Sequence, residues 1–212
     1  LLPTPRPQII AITGTNGKTT TTTIIGELIK AAGRSAFVGG NIGIPMADYL
    51  VEEREEEYLI LELSSFQLES ITTFHPDVVI FLNLFPNHGE RYKKVEDYFT
   101  AKSHITKNMK SSDHIIMPDD IEIIYQWGNE ITPQKHWFTN SNYKLLASEL
   151  KKEYTLSDYQ LVGGHNIVNL YCAIKVLEIL ELTNTPKSKA LINQGIGKLA
   201  GVAHRLQPVK QV

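Results

Sequence analysis

Thr13-Gly14-Thr15-Asn16-Gly17-Lys18-Thr19-Thr20 sets two glycines, a lysine and several hydroxyls side by side. The apolar run Ile9-Ile10-Ala11-Ile12 leads into it, and a stretch with helical spacing follows. A strand that turns through glycine into a helix opening with Lys-Thr is a cradle for phosphate. Gly14 and Gly17 let backbone N–H groups of the loop, those of Thr15 and Asn16 included, approach phosphate oxygens. The helix N-terminus adds partial positive charge, Lys18 reaches β- and γ-phosphates, and the Thr19 hydroxyl can ligate Mg²⁺. Thr20 also falls near the phosphates. One departure marks a subtype: the general spacing asks for glycine five residues before Gly17, and Ile12 stands there.

Other residues of chemical interest lie where strands end. Glu62 comes near the close of the apolar run Tyr58 to Leu63. A carboxylate there, one strand from a phosphate loop, is placed like the one that holds Mg²⁺; the alternative is a plain charge at a strand edge. Ser64-Ser65-Phe66-Gln67 follows on the loop. His88, in the polar loop Phe85 to Arg91, reads as a metal ligand, an acid/base group or an incidental histidine. Lys102 by itself reads as a surface lysine. Asn166 and Asn169 share one face at a helix start, where two carboxamides suit either a purine edge or capping. Gly39, Gly40 and Gly43 flank Asn41 and allow close backbone approach to a ligand, or form a simple strand-to-helix turn.

The elements that must position these residues alternate. Strands are expected at 8–13, 36–38, 58–63, 77–83 and 113–117. Helices are expected from Lys18 to Gly33, from Pro45 to about Arg54, from Val95 to Met109, from Gly164 onward, and from Thr185-Pro186 to about Gly195–Gly197. Residues 118–160 show no clear period; Trp127, Trp137, Phe138 and Tyr143 there supply bulk for a core. The pattern predicts an α/β, doubly wound, mostly parallel sheet with a P-loop.

With 212 residues, 42% hydrophobic and 21% charged, the composition is that of an ordinary globular protein. A net charge of −2 gives no footprint for nucleic acid, and no apolar run is long enough for a membrane span. The single Cys172 excludes an internal disulfide and reads as a buried small hydrophobe. Pro3, Pro5 and Pro7 give the start the look of an extended linker. The absence of an initiator Met leads us to expect a piece of a longer protein.

Taken together, these segments resemble the central, ATP-binding domain of the Mur ligase superfamily, whose members build the peptide stem of the bacterial cell-wall precursor. Residues 13–19 are similar to that family's Thr-Gly-Thr-Asn-Gly-Lys-Thr form, which also lacks the first glycine. Gly40-Asn41-Ile42-Gly43-Ile44-Pro45 and Leu61-Glu62-Leu63-Ser64-Ser65-Phe66-Gln67-Leu68-Glu69 resemble its D-glutamate-adding branch. Gly164-His165-Asn166 with Asn169, and His204-Arg205, are similar to its later motifs, so the resemblance runs from Ile9 to Val209.

The resemblance implies an ATP- and Mg²⁺-dependent amide ligase that adds D-glutamate to UDP-N-acetylmuramoyl-L-alanine through an acyl phosphate. It implies catalytic roles for Lys18, His88 and Lys102, and two Mg²⁺ ions held by Thr19, Glu62, His88 and a carbamylated Lys102. Asn166 and Asn169 are implied to read adenine, Arg205 to contact the nucleotide, and Asn41, Ser64 and Gln67 to contact the muramoyl substrate. Residues 1–8 then read as a linker from an N-terminal domain, 9–203 as the ATP-binding domain, and 204–212 as a hinge toward a C-terminal domain. The isolated chain is expected to bind Mg-ATP weakly and not to ligate. A cytoplasmic monomer, with no nucleic-acid or membrane partner, is expected. Two features depart from the family: Asn87 and Glu90 stand where Asp is common. The alternatives are a sister ligase with another acceptor or a non-catalytic nucleotide-binding module.

Overall fold

The structure is a computed structural model that describes residues 5–86, 91–161 and 163–199. Within them, strands β1 (Gln8–Thr13), β2 (Ala36–Gly40), β3 (Tyr58–Glu62), β4 (Val78–Phe81), β5 (His114–Pro118) and β6 (Gln134–Phe138) form one sheet. Its order is β2-β3-β1-β4-β5-β6, and every pairing is parallel. The intervening helices are α1 (Lys18–Ala31), α2 (Met46–Val51), α3 (Ser65–Glu69), α4 (Val95–Ser103), α5 (Glu122–Glu130), α6 (Tyr143–Leu150), α7 (Gly164–Ile179) and α8 (Pro186–Lys198).

Parallel strands need helical crossovers, which cover both faces of the sheet, so the inner strands are apolar at successive positions. Ile10, Ile12, Ile60 and Ile80 pack into one core with Ile24, Ile25 and Leu28 of α1 and much of α7. Ala11, Val79, Phe81 and Ile115 face the other core, with Tyr98, Phe99 and Ile105. Trp127 edges onto Phe81 and Phe99 there, with ring centroids 5.9 and 5.5 Å away. Because β2 and β3 lie to one side of β1 and β4 to β6 to the other, the strand order reverses around β1. The crevice beyond the C-terminal ends of strands at such a reversal is where open α/β sheets take ligands.

Several expectations need correction. The helix expected from Pro45 to Arg54 spans only Met46–Val51, with Pro45 as an extended N-cap. Glu52 and Glu53 oppose the dipole at its C-terminus, and Glu53 turns left-handed at φ 50. The Ser64 to Gln67 loop is the start of α3. The single helix expected over 95–109 ends at Ser103 and tightens into a 3₁₀ turn over His104–Thr106. There the Ser103 and Thr106 hydroxyls donate to the carbonyls of Thr100 and Ser103 and compete with the regular ladder. The unreadable stretch 118–160 holds α5, β6 and α6, and Tyr143 is exposed rather than core. α8 continues through Gly195 and Gly197 to Lys198. Cys172 is fully buried, and burial pushes its thiol pKa up.

Candidate functional site

The phosphate loop begins where β1 stops. Ile12 pairs with Glu62 on one side and Ile80 on the other, and it is fully buried. The position where other phosphate loops carry a first glycine is therefore an inner strand residue here. Gly17 has φ 84 and serves as the N-cap of α1, with no side-chain cap. A Cβ at Gly17 would also lie 2.7 Å from Asn169 Oδ1, so conformation and space both require glycine. The first N–H groups of a helix have no intrahelical acceptor, and a glycine cap brings no side chain to satisfy them. Lys18 Nζ curls over this loop and donates to the carbonyls of Gly14 and Thr15 at 3.1 and 3.0 Å.

Sequence reasoning passed over Asn83, just beyond β4. Its Oδ1 accepts the N–H groups of Thr15 and Asn16 at 3.1 and 2.9 Å, and its Nδ2 donates to the Asn16 carbonyl. The available signal was a carboxamide closing the apolar run Val78 to Leu82.

Glu62 ends β3 facing the start of α1, and only 3% of it is exposed. Thr19 Oγ1 donates to its Oε2 at 2.7 Å, and Asn41 Nδ2 donates to its Oε1 at 3.2 Å. Asn41 N–H also donates to the Glu62 carbonyl. This approach depends on Gly40 (φ 102), where a Cβ would lie 2.4 Å from that carbonyl oxygen. Asn41 therefore orients the carboxylate, a contact the sequence did not announce. Ser64 and Gln67 form a capping box on α3: the Ser64 Oγ accepts the Gln67 N–H, and Gln67 Oε1 accepts the Ser64 N–H.

Lys102 is not a surface lysine. It is 1% exposed, donates to the Gly14 carbonyl at 3.0 Å and to Thr13 Oγ1 at 3.4 Å, and lies over the Tyr98 ring. Burial, helped by the charge of Lys18 and opposed by that of Glu62, pulls its amine down to about 7. Asn166 and Asn169 do not cap α7, whose N-cap is Gly163. They are buried, and Asn169 Nδ2 donates to Asn166 Oδ1 at 3.1 Å, beside Gly17.

The structure thus brings the loop, Thr19, Glu62, Asn41, Lys102 and Asn169 together at the strand-order reversal. His88 and Arg205 lie outside the described residues. Among the described residues, no three His, Cys, Asp or Glu gather as a metal cluster, and no helix is long and apolar enough to cross a membrane. A buried carboxylate meeting a threonine hydroxyl is nevertheless an oxygen donor pair suited to Mg²⁺. The Lys102 ammonium fits a cation site only after conversion to an anion. A separate cavity of about 830 Å³, lined by Thr155, Asp158, Asn193 and Lys198 among others, holds none of these residues.

Residues 12–177 match the family model described as Mur ligase middle domain. The UDP-N-acetylmuramoylalanine–D-glutamate ligase of Alkaliphilus metalliredigens is 36% identical over 98% of this chain and 47% of that protein. The enzyme of the same name from Clostridioides difficile is 33% identical over 97% and 47%. The chain thus spans about half the length of these relatives. Among solved structures, the MurF ligase of Thermotoga maritima in complex with ADP matches with a TM-score of 0.64 at 20% identity. It covers 92% of this chain and 49% of that one, a likeness in fold. The motifs, the parallel sheet reversing at β1 and the match over residues 12–177 agree: this chain belongs to the Mur ligase family and carries its middle domain.

Proposed function

We propose that this chain is the ATP-binding part of a ligase that joins D-glutamate to UDP-N-acetylmuramoyl-L-alanine, and that it acts with the further length its relatives possess. The observation that carries the reading is the meeting of Thr19 and Glu62 at 2.7 Å, beside the buried Lys102 and on the phosphate loop. The names of its relatives support the choice of acceptor. The setting is the cytoplasm and the acting form a monomer.

The chemistry runs in two steps. An oxygen of the muramoyl-alanine carboxylate attacks the γ-phosphorus, the bond from that phosphorus to the β–γ bridging oxygen breaks, and ADP leaves an acyl phosphate. The D-glutamate nitrogen then attacks the acyl carbon, the carbon–oxygen bond to phosphate breaks, and the nitrogen loses a proton as the amide forms. The first step is mostly positioning and charge neutralisation. The N–H groups opening α1 hold phosphate oxygens, and Lys18 exchanges its loop carbonyls for the β- and γ-phosphates. Asn166 and Asn169 read adenine, and Arg205 completes the nucleotide contacts. Asn41, Ser64 and Gln67 line the muramoyl side.

Thr19 and Glu62 would hold one Mg²⁺, with His88 and a carbamate on Lys102 completing a two-ion site; bound Mg²⁺ neutralises phosphate charge. The lowered Lys102 pKa supports the carbamate, since the neutral amine is the form that adds CO₂.

The test is phosphate release by the full-length protein with ATP, Mg²⁺ and UDP-N-acetylmuramoyl-L-alanine, with and without D-glutamate. Release that needs D-glutamate and is lost in Lys18→Ala is expected. Release that needs a different amino acid would move the chain to a sister ligase. ATP binding without release under any acceptor would leave a non-catalytic module.

A further inference from the structure

The loop Thr13 to Asn16 is held along its length by the segment that leaves β4. Leu82 N–H donates to the Thr13 carbonyl at 3.0 Å, and Thr15 N–H reaches the Asn83 carbonyl at 3.1 Å. Thr15 Oγ1 accepts the Phe85 N–H at 2.9 Å and lies 3.2 Å from the Phe85 carbonyl. The Asn83 carboxamide adds three bonds at the turn itself, accepting from Thr15 and Asn16 and donating back to Asn16. The parallel pairing of β1 with β4 thus continues past both strands, with a side chain doing what the backbone ladder no longer can.

We propose that Asn83 is the positioning residue of the phosphate loop. The inference rests on the reading that this loop takes nucleotide phosphate. A loop whose usual first-glycine position is strand residue Ile12 has less chain with which to brace itself, and Asn83 braces it from outside. It also divides the donors. The Thr15 and Asn16 N–H groups stay with Asn83, while those of Gly17 through Thr20, at the opening of α1, take the phosphate. Asn83 touches no phosphate and sets the shape from which the others do.

The experiment uses the full-length protein and its Asn83→Ala and Asn83→Asp variants. Amide hydrogen exchange is followed without nucleotide, and Mg-ADP affinity is measured by calorimetry. In the parent, the Thr15 and Asn16 amides should be protected before any nucleotide is added. Asn83→Ala should lose protection at Asn16, while Thr15 keeps the Asn83 backbone carbonyl. It should bind ADP at least about tenfold more weakly, as removal of several hydrogen bonds at one turn would give. Its thermal midpoint should stay near that of the parent. Asn83→Asp retains the oxygen that accepts both N–H groups and loses only the donor to the Asn16 carbonyl, so it should keep the amides protected; it carries the exchange test if the alanine variant fails to fold. Asn16 protection that survives in Asn83→Ala, or is lost in Asn83→Asp, overturns the clamp. Parent-like ADP affinity in Asn83→Ala overturns the positioning role alone. A parent that does not bind ADP overturns the nucleotide reading, and this role with it.

Discussion

The Thr19 hydroxyl donates to Glu62 Oε2 across 2.7 Å, joining the first turn of α1 to the end of β3. Asn41 holds the other carboxylate oxygen, so the group is fixed in direction. Glu62→Gln keeps an acceptor for Thr19 and removes the negative charge. It should fold like the parent, lose about 100-fold or more in D-glutamate-dependent phosphate release, and require far more Mg²⁺. A Mg²⁺ titration of initial rates checks this. An unchanged Mg²⁺ requirement would remove Glu62 from the metal site.

Lys102→Met keeps the bulk of the side chain and discards a buried cation. Burial disfavours the charged form of this amine, so the thermal midpoint should stay near that of the parent although the bonds to Gly14 and Thr13 are lost. Ligase activity should fall to background, because no carbamate can form. Carbon-13 bicarbonate supplied to the parent, and not to this variant, should give a carbamate resonance by NMR.

At Gly17 a side chain meets two obstacles, the left-handed backbone and Asn169 Oδ1. Gly17→Ala should cost about 1–2 kcal/mol from backbone conformation alone, and more from the collision. Denaturant unfolding measures it, and nucleotide affinity should fall in parallel.

Far from this site, His136 lies 3.0 Å from His114 on neighbouring strands, with Lys175 and Glu178 of α7 near it. Burial first, then the charges of His114 and Lys175, hold its pKa below the ordinary histidine value, with Glu178 opposing. The unfolded chain therefore binds the proton more readily, and stability is lost as pH falls below about 6.5. His136→Gln should flatten the fall of the thermal midpoint as pH drops below about 6.5, while changing it little at pH 8. Equal slopes for parent and variant would remove His136 as the cause.

Legibility in the sequence followed the range of the interactions involved. Ile9 to Ile12 and Val78 to Phe81 read as inner strands because their burial is written in consecutive residues. The Gly17-Lys18 junction read as a phosphate turn for the same local reason. β6 did not, because Gln134 and Lys135 lie exposed at the sheet edge and break the apolar pattern. Lys102 looked like a surface residue because Thr100 and Ser103 beside it carry no sign that their helix face is covered. Its burial comes from the loop 88 positions earlier in the chain. Asn41 on Glu62 and Asn83 on Thr15 are likewise products of topology, which no residue spacing encodes. The family resemblance supplied what spacing could not for Lys102, and it supplied nothing for Asn83.

The continuation of β4 along the loop also has a consequence for synthesis on the ribosome. Thr15 emerges before its partner Asn83, which follows 68 residues later, and β1 has no β4 to pair with until that stretch is out. The glycine loop is translated before the segment that gives it its working form. A nascent chain stalled before Asn83 would carry the entire phosphate motif and lack the grip that shapes it.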